Sequence, residues 1–187
     1  MKISLRWLSN YIDIEDYFSK PQELSALLTA AGLEVEGIED LAKQYDHVVI
    51  GNILKKDQHP GADRLTLCQV STGEGRVHQI VCGAKNHNVG DNVVVALPGA
   101  VLPGGLAIKQ SKIRGVDSGG MLCSKKELGL ADDGVDGIVI LPKDAPIGVT
   151  FAKHMGLVDI LFELKVTPNR ADCLSHFGLA REIACLL

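Results

Sequence analysis

Aromatic side chains are scarce in this chain: four Phe, three Tyr and one Trp in 187 residues, with none between Asp46 and Thr150. That gap removes from the middle of the chain the commonest grip on single-stranded nucleic acid, stacking of bases on aromatic rings. Long hydrophobic runs are lacking too. No apolar stretch approaches the ~18 residues of a membrane helix. The start, MKISLRWLSNYID, has no apolar signal-peptide core. A cytoplasmic protein without membrane contact is expected. The five cysteines, Cys68, Cys82, Cys123, Cys173 and Cys185, are odd in number and form no CxxC pair. They suit reduced thiols better than a disulfide framework. His59, Cys68, His78, Cys82, His87 and Cys123 fit no zinc spacing. They read as buried cysteines and surface histidines, and no metal site is expected. Neither GxGxxG nor GxxxxGK[ST] occurs, and no Cys–His nucleophile pair is supported. No catalytic residue is assigned.

What is present is unevenly distributed. Residues 40–151 hold 16 of the 20 glycines and five of the seven prolines. The same stretch is neutral, with 12 basic and 12 acidic residues, whereas the two ends together carry seven basic and 11 acidic. The pattern divides the chain into 1–39, 40–151 and 152–187, with the middle inserted into a domain built from both ends.

The ends read as mixed helix and strand. Leu5, Leu8 and Ile12 have helical spacing behind Ser4 as an N-cap. Pro21 opens a second helix that Gly32 closes. LEVEGIE alternates like a strand, and ILFELKV is a strand halted by Pro168. A last helix begins near Leu174, with Asp172 as a possible cap. Its apolar end, Cys185-Leu186-Leu187, suggests a longer parent chain.

The middle reads as short β runs: HVVIGNIL, LTLCQV, VHQIVC, NVVVAL, AIKQSKIRGV and GIVIL. Five or six such strands suggest a small Greek-key barrel of the oligonucleotide-binding (OB) type, a β-sandwich being the alternative. Within AIKQSKIRGV, strict alternation would send Ile108 and Ile113 to opposite faces. A break near Gln110-Ser111 would turn both isoleucines inward and align Lys109, Lys112 and Arg114 outward as one basic row. The surrounding segment, KQSKIRGVDSGGMLCSKKE, carries five basic residues against Asp117 and Glu127. It is either solvated surface charge or a local phosphate-binding face.

At these residues a family becomes recognisable. HPGADRLTLCQV, IVCGAKN, VALPGAVLPGG, SKIRGVDSGGMLCSKKELGL and VTPNRADCLSHFGLAREIA, together with MKISLRWLSNYI and AGLEVEGIE, resemble the N-terminal part of bacterial phenylalanyl-tRNA synthetase β subunits. The middle also resembles the tRNA-binding OB module appended to some methionyl-tRNA synthetases. Gly61 departs from the family, whose turn usually has Asn there. The resemblance implies a multidomain α/β protein: a five-stranded OB-fold β-barrel inserted into a small winged-helix-like α+β domain. It implies tRNA as a partner, and a heterotetramer of two α and two β subunits, with aminoacylation on the α subunit. ATP and magnesium are implied for the full enzyme but not for this stretch. The editing site, the metal-binding part and the anticodon-binding domain would lie beyond residue 187.

The resemblance also supplies an RNA face: Lys85, Asn86, Lys109, Lys112, Arg114, Ser118 and Met121, the last being alternatively a barrel-core residue, with Arg64 leaving the His59–Asp63 loop at the barrel rim. Asp63 is expected to close that loop as an Asx-turn. The glycines of Ser118-Gly119-Gly120-Met121 are expected to let RNA approach the backbone. TPNRADCLS is expected to be a turn in which Asn169 and Arg170 lock the terminal helix to the sheet. The competing function is a scaffold for the β subunit with little RNA contact.

Overall fold

The computed structural model describes every residue except Asp132 and Asp133. In chain order the elements are β1 (Lys2–Ser4), α1 (Leu5–Leu8), α2 (Pro21–Ala30), β2 (Glu34–Asp40), β3 (Val48–Gln58), β4 (Thr66–Ser71) and β5 (Val77–Cys82). They continue with β6 (Asn92–Ala96), β7 (Ser111–Ile113), β8 (Val116–Ser118), β9 (Met121–Leu122), β10 (Ile140–Leu141), α3 (Phe151–His154), β11 (Ile160–Lys165) and α4 (His176–Leu186). They form two compact units, Met1–Leu41 with Val158–Leu187, and Ala42–Leu157.

The first unit is a three-stranded antiparallel sheet, β1-β11-β2, with helices packed on it. The strand from the C-terminal part lies between the two N-terminal ones, which ties the ends of the chain into one core. Ile160, Phe162 and Leu164 alternate inward along β11, and meet Ile3, Leu5, Leu24, Leu28, Leu179 and Ile183. Local chemistry sets the helix limits. Ser4 Oγ accepts from Trp7 N–H at 2.9 Å, but the helix it caps stops at Leu8, short of Ile12. Pro21 begins α2. Gly32, at φ +86°, ends it: Leu33 N–H donates to Leu28 O and Gly32 N–H to Thr29 O. These are the two bonds of a Schellman cap.

The cap expected at Asp172 is at Ser175, whose Oγ accepts from Gly178 N–H at 3.0 Å. Asp172 lies in the preceding 3-10 turn, Pro168–Cys173. There Arg170 donates to Asp172 Oδ2 at 3.2 Å, to Cys173 Sγ at 3.0 Å, and pairs with Glu182 of α4 at 2.8 Å. The turn sits so close to α4 that a Cβ at Gly178 would lie 1.8 Å from Asp172 O. Arg170 thus fastens the terminal helix to this turn. The guanidinium holds the Asp172 carboxyl below the usual carboxylate range. Asp172, Cys173 and Glu182 form the one group of three metal-ligand side chains among the described residues, and Arg170 already supplies its positive charge.

The second unit is a nearly closed antiparallel barrel. The ladder runs β10-β6-β3-β4-β5, and β9 pairs with β6. β3, an interior strand, serves two neighbours: Val48–Asn52 pairs with β6 and Asn52–Gln58 with β4, the second ladder shifting register between Ile53 and Lys55. Gly51 permits the coiling, since a Cβ there would meet Val70 and Val95 side chains at 2.8 Å. The barrel core is Ile53, Cys68, Val70, Ile80, Val93, Val95 and Leu122. A second layer on the other face of β6 contains Val94, Ala96, Ile108, Cys123 and Leu128 with Tyr45 and Phe151. Residues 152–157, expected in the outer domain, belong with the barrel, because Ala152 of α3 packs in that layer.

The barrel closes along a seam between β5 and the β8–β9 segment. Gly119 N–H donates to Gln79 O at 2.8 Å, Val81 N–H donates to Ser118 Oγ at 3.1 Å, and the Gln79 amide donates to Asp117 O at 2.9 Å. A serine hydroxyl therefore takes one rung that a backbone carbonyl would otherwise supply.

Candidate nucleic-acid interface

AIKQSKIRGV is not one strand. Ala107 bridges Val101 and Ile108 still bonds Gly99 and Ala100, the chain then leaves this pairing at residues 109–110, and pairing resumes as β7 against β8. The break is thus a change of partner, not a bulge within one ladder. Arg114 and Gly115, at φ +47° and +88°, make the two-residue turn of the β7–β8 hairpin. Positive φ at both positions is the mark of a type I′ turn.

Beside this hairpin lies an open cleft of about 980 Å³. Its apolar surface comes from Ile108, Ile113, Met121, Leu122 and Ile138, and Leu106 stands on its edge. Lys85 enters from the turn after β5 and Lys109 from the segment before β7. Both lysines are exposed, and among the described residues neither forms an ion pair. Ser111, Ser124 and Glu127 also line the cleft. Glu127 Oε2 accepts from Ser124 N–H and Oγ–H at 2.6 and 2.7 Å, which closes the turn after β9.

The expected RNA face therefore divides into parts. Lys85, Asn86, Lys109 and Met121 meet at the cleft. Lys112 and Arg114 are exposed on the hairpin, where Lys112 faces Asp117 at 3.8 Å; of the expected row only Lys112 lies on β7, with Lys109 before it and Arg114 in the turn. Arg64 is exposed in the β3–β4 loop. Two residues are committed elsewhere. Ser118 is 1% exposed and, besides accepting at the seam, donates to Gly120 O at 3.0 Å. Asn86 donates to Ile138 O at 2.8 Å and accepts from Ile138 N–H at 3.0 Å, so its amide builds a cleft wall. Gly120 likewise serves closure: at φ +153°, a Cβ would lie 2.7 Å from Ala96 O.

The loop HPGAD is fixed by its histidine. His59 is 3% exposed, with Nδ1 accepting from Gly61 N–H at 3.0 Å and Nε2 bonded to Ile113 O at 3.1 Å. The expected Asx-turn of Asp63 is replaced by this ring, and Gly61 has no positive φ. His59 joins the Arg64 loop to the β7–β8 hairpin, a link that the sequence did not reveal because a buried histidine and a surface one look alike in it. His87 is also buried: its Nε2 lies 3.2 Å from Thr66 Oγ1 and 3.3 Å from Cys68 Sγ. Burial, then the charge of Lys56, hold its imidazole below its ordinary value. Burial pushes the Cys123 thiol up to about 12 and raises Cys68 and Cys82. These are inert core thiols.

A small antiparallel barrel with an open cleft rimmed by lysines is an oligonucleotide-binding type of module. Residues 48–150 match the family described as "Putative tRNA binding domain", and the chain belongs to that family. It is similar over its length to the phenylalanine–tRNA ligase beta subunit of Bdellovibrio bacteriovorus, 65% identical over 186 residues, covering 100% of this chain and 23% of that protein. The corresponding subunit of Fusobacterium nucleatum is 54% identical over 184 residues, covering 98% and 23%. The chain thus spans about a quarter of the length of these relatives. Among solved structures, a MetRS related protein from Pyrococcus horikoshii aligns with a TM-score of 0.41 at 22% identity, over 55% of this chain and 86% of that chain. Among the described residues no helix is long and apolar enough to cross a membrane.

Proposed function

We propose that this chain is the tRNA-binding portion of a phenylalanine–tRNA ligase β subunit, and that it works in the cytoplasm. The observation that carries the reading is the cleft beside the β7–β8 hairpin, where exposed basic side chains border the open side of an OB-type barrel. The barrel unit carries only a small basic excess, 13 basic against 11 acidic residues, so attraction to RNA has to be local. Lys85 and Lys109 at the cleft, and Lys112, Arg114 and Arg64 beside it, supply that local charge. Both aromatics that adjoin the barrel, Tyr45 and Phe151, are buried. Phosphate and ribose contacts therefore dominate the affinity. Titration of fluorescent tRNA into the chain tests this. The variant Lys109→Gln/Lys112→Gln/Arg114→Gln should fold normally, since exposed charges contribute little stability, and should bind about tenfold more weakly or worse. Unchanged affinity would favour the scaffold reading.

The first unit supports a complementary role in assembly. It exposes Trp7, Tyr11, Leu174 and Phe177, with Trp7 stacked on His176 at 4.1 Å and Tyr11 edge-on to Phe177 at 5.8 Å. This unit has six basic and twelve acidic residues, which disfavours RNA there. Exposed aromatics of this kind suit a protein interface. We assign them to packing within the ligase, whose α subunit would bind ATP and magnesium and perform aminoacylation. Trp7→Ser/Phe177→Ser in the full β subunit should reduce recovery of the αβ complex on co-purification. Full recovery would remove that assignment.

A further inference from the structure

The cleft is built for more than phosphate. A surface that meets only the outside of an RNA helix needs charge and hydrogen-bond donors, and gains nothing from a recessed aliphatic floor. Here the lining includes Ile108, Leu122 and Ile138, at 7%, 4% and 7% exposure, together with half-buried Met121 and Ile113. Its volume, about 980 Å³, stands at the upper end of the range of small-ligand pockets, about 300–1,000 Å³. A base inside a duplex offers no free face to such a floor. A base turned out of the stack does, and proteins that read RNA by sequence act mainly on such unstacked bases.

We infer that the cleft receives one unstacked nucleoside of the RNA, its base lying against Met121, Ile108 and Ile113 and its flanking phosphates meeting Lys85 and Lys109. The inference rests on the tRNA-binding reading above. A thioether is a good partner for a π-face: sulfur–aromatic contacts contribute about 0.3–1.5 kcal/mol. Met121 thus takes the place of the aromatic platform that the barrel lacks. Lys85 and Lys109 come from different segments of the cleft border, which suits the two phosphates that flank one nucleoside. Ser111 Oγ is the hydroxyl left for the edge of the base, because Ser124 Oγ–H is donated to Glu127 Oε2, and the Glu127 and Asp136 carboxylates line the same cleft. Hydroxyls donate and accept, so they discriminate poorly between bases.

The test is methyl-detected NMR of the 187-residue chain, titrated with adenosine 3′,5′-bisphosphate and, separately, with ribose 5-phosphate. The nucleotide should give saturable shifts at the Met121, Ile108 and Ile113 methyls, and the ribose phosphate should leave them in place. Met121→Ala should weaken tRNA binding about two- to tenfold, the fold-change matching the sulfur–aromatic range. It should leave the salt dependence of binding unchanged, because no phosphate contact is removed. Cleft methyls that stay silent with millimolar nucleotide would overturn the inference, as would equal shifts with ribose phosphate. Those measurements use the unaltered chain, so a misfolded variant cannot obscure them. tRNA binding with a silent cleft would sink this inference alone, whereas no tRNA binding at all would sink the proposed function.

Discussion

Ser118 carries the clearest lesson at the scale of single residues. By family resemblance it belongs to an RNA face. In the structure it is buried and completes the barrel seam by accepting from Val81 N–H. A hydroxyl has the same chemistry toward a phosphate and toward a backbone amide, and only the fold decides which it meets. Ser118→Ala leaves the Val81 N–H buried without its acceptor, which costs about 1–3 kcal/mol. Urea unfolding should show a lower midpoint, while tRNA affinity of the folded variant stays near that of the wild type. A large loss of affinity with unchanged stability would return Ser118 to the RNA face. His87 gives a prediction about pH. Burial keeps its folded-state pKa below the unfolded value of about 6.5. Below that pH the unfolded chain binds a proton that the folded chain refuses. Stability is therefore full above about pH 6.5 and is lost as pH falls toward the lowered folded pKa. His176 is shifted in the same direction, also mainly by burial, and adds to the decline. The melting temperature should fall from about pH 7.5 to about pH 5.5, and His87→Gln should flatten part of that fall. An identical profile in the variant would show that His87 does not contribute to it.

Elements whose ends are set by backbone-special residues were the most legible. Pro21 and Gly32 frame α2 where the sequence puts them. The cap expected at Asp172 is instead made by Ser175, whose Oγ accepts from Gly178 N–H. The Asp172 carboxylate is held by Arg170, which also pairs with Glu182 of α4. The segment 107–116 was legible in part. Alternation demanded a break near Gln110, and the chain does leave the ladder there, but only the fold reveals that its two sides have different partners. Nor could alternation show that Arg114 sits in a turn. That position yields a prediction for the hairpin. Asn tolerates φ > 0 better than Arg, so Arg114→Asn should keep or slightly raise the melting temperature while weakening tRNA binding. The substitution thus separates the charge of Arg114 from its backbone role. A marked loss of stability would mean that the arginine side chain holds the hairpin together.

At the scale of the whole molecule, composition carried most of the information. The crowding of glycine and proline into residues 40–151 marks the short strands and tight turns of a barrel. The acidic excess in the remainder marks the unit formed by both ends. Composition could not place the second boundary to the residue, because α3 is helical like the outer unit yet packs on the barrel. It could not reveal the cleft either, whose surface is assembled from four separate stretches, within 81–86, 106–113, 120–127 and 136–138. Charge sets the expected strength of binding. A barrel unit with a small basic excess, 13 basic against 11 acidic residues, and with Lys85, Lys109, Lys112 and Arg114 at one cleft and one hairpin is expected to make about two to four phosphate contacts, and neutralising each contact releases counterions in proportion. The most direct measurement is therefore the affinity of the chain for tRNA across a range of salt concentrations. The account predicts that log K falls with log salt at a slope of about −2 to −4, and that the Lys109/Lys112/Arg114 glutamine variant has a shallower slope. A slope near zero, or one that the variant leaves unchanged, would contradict it.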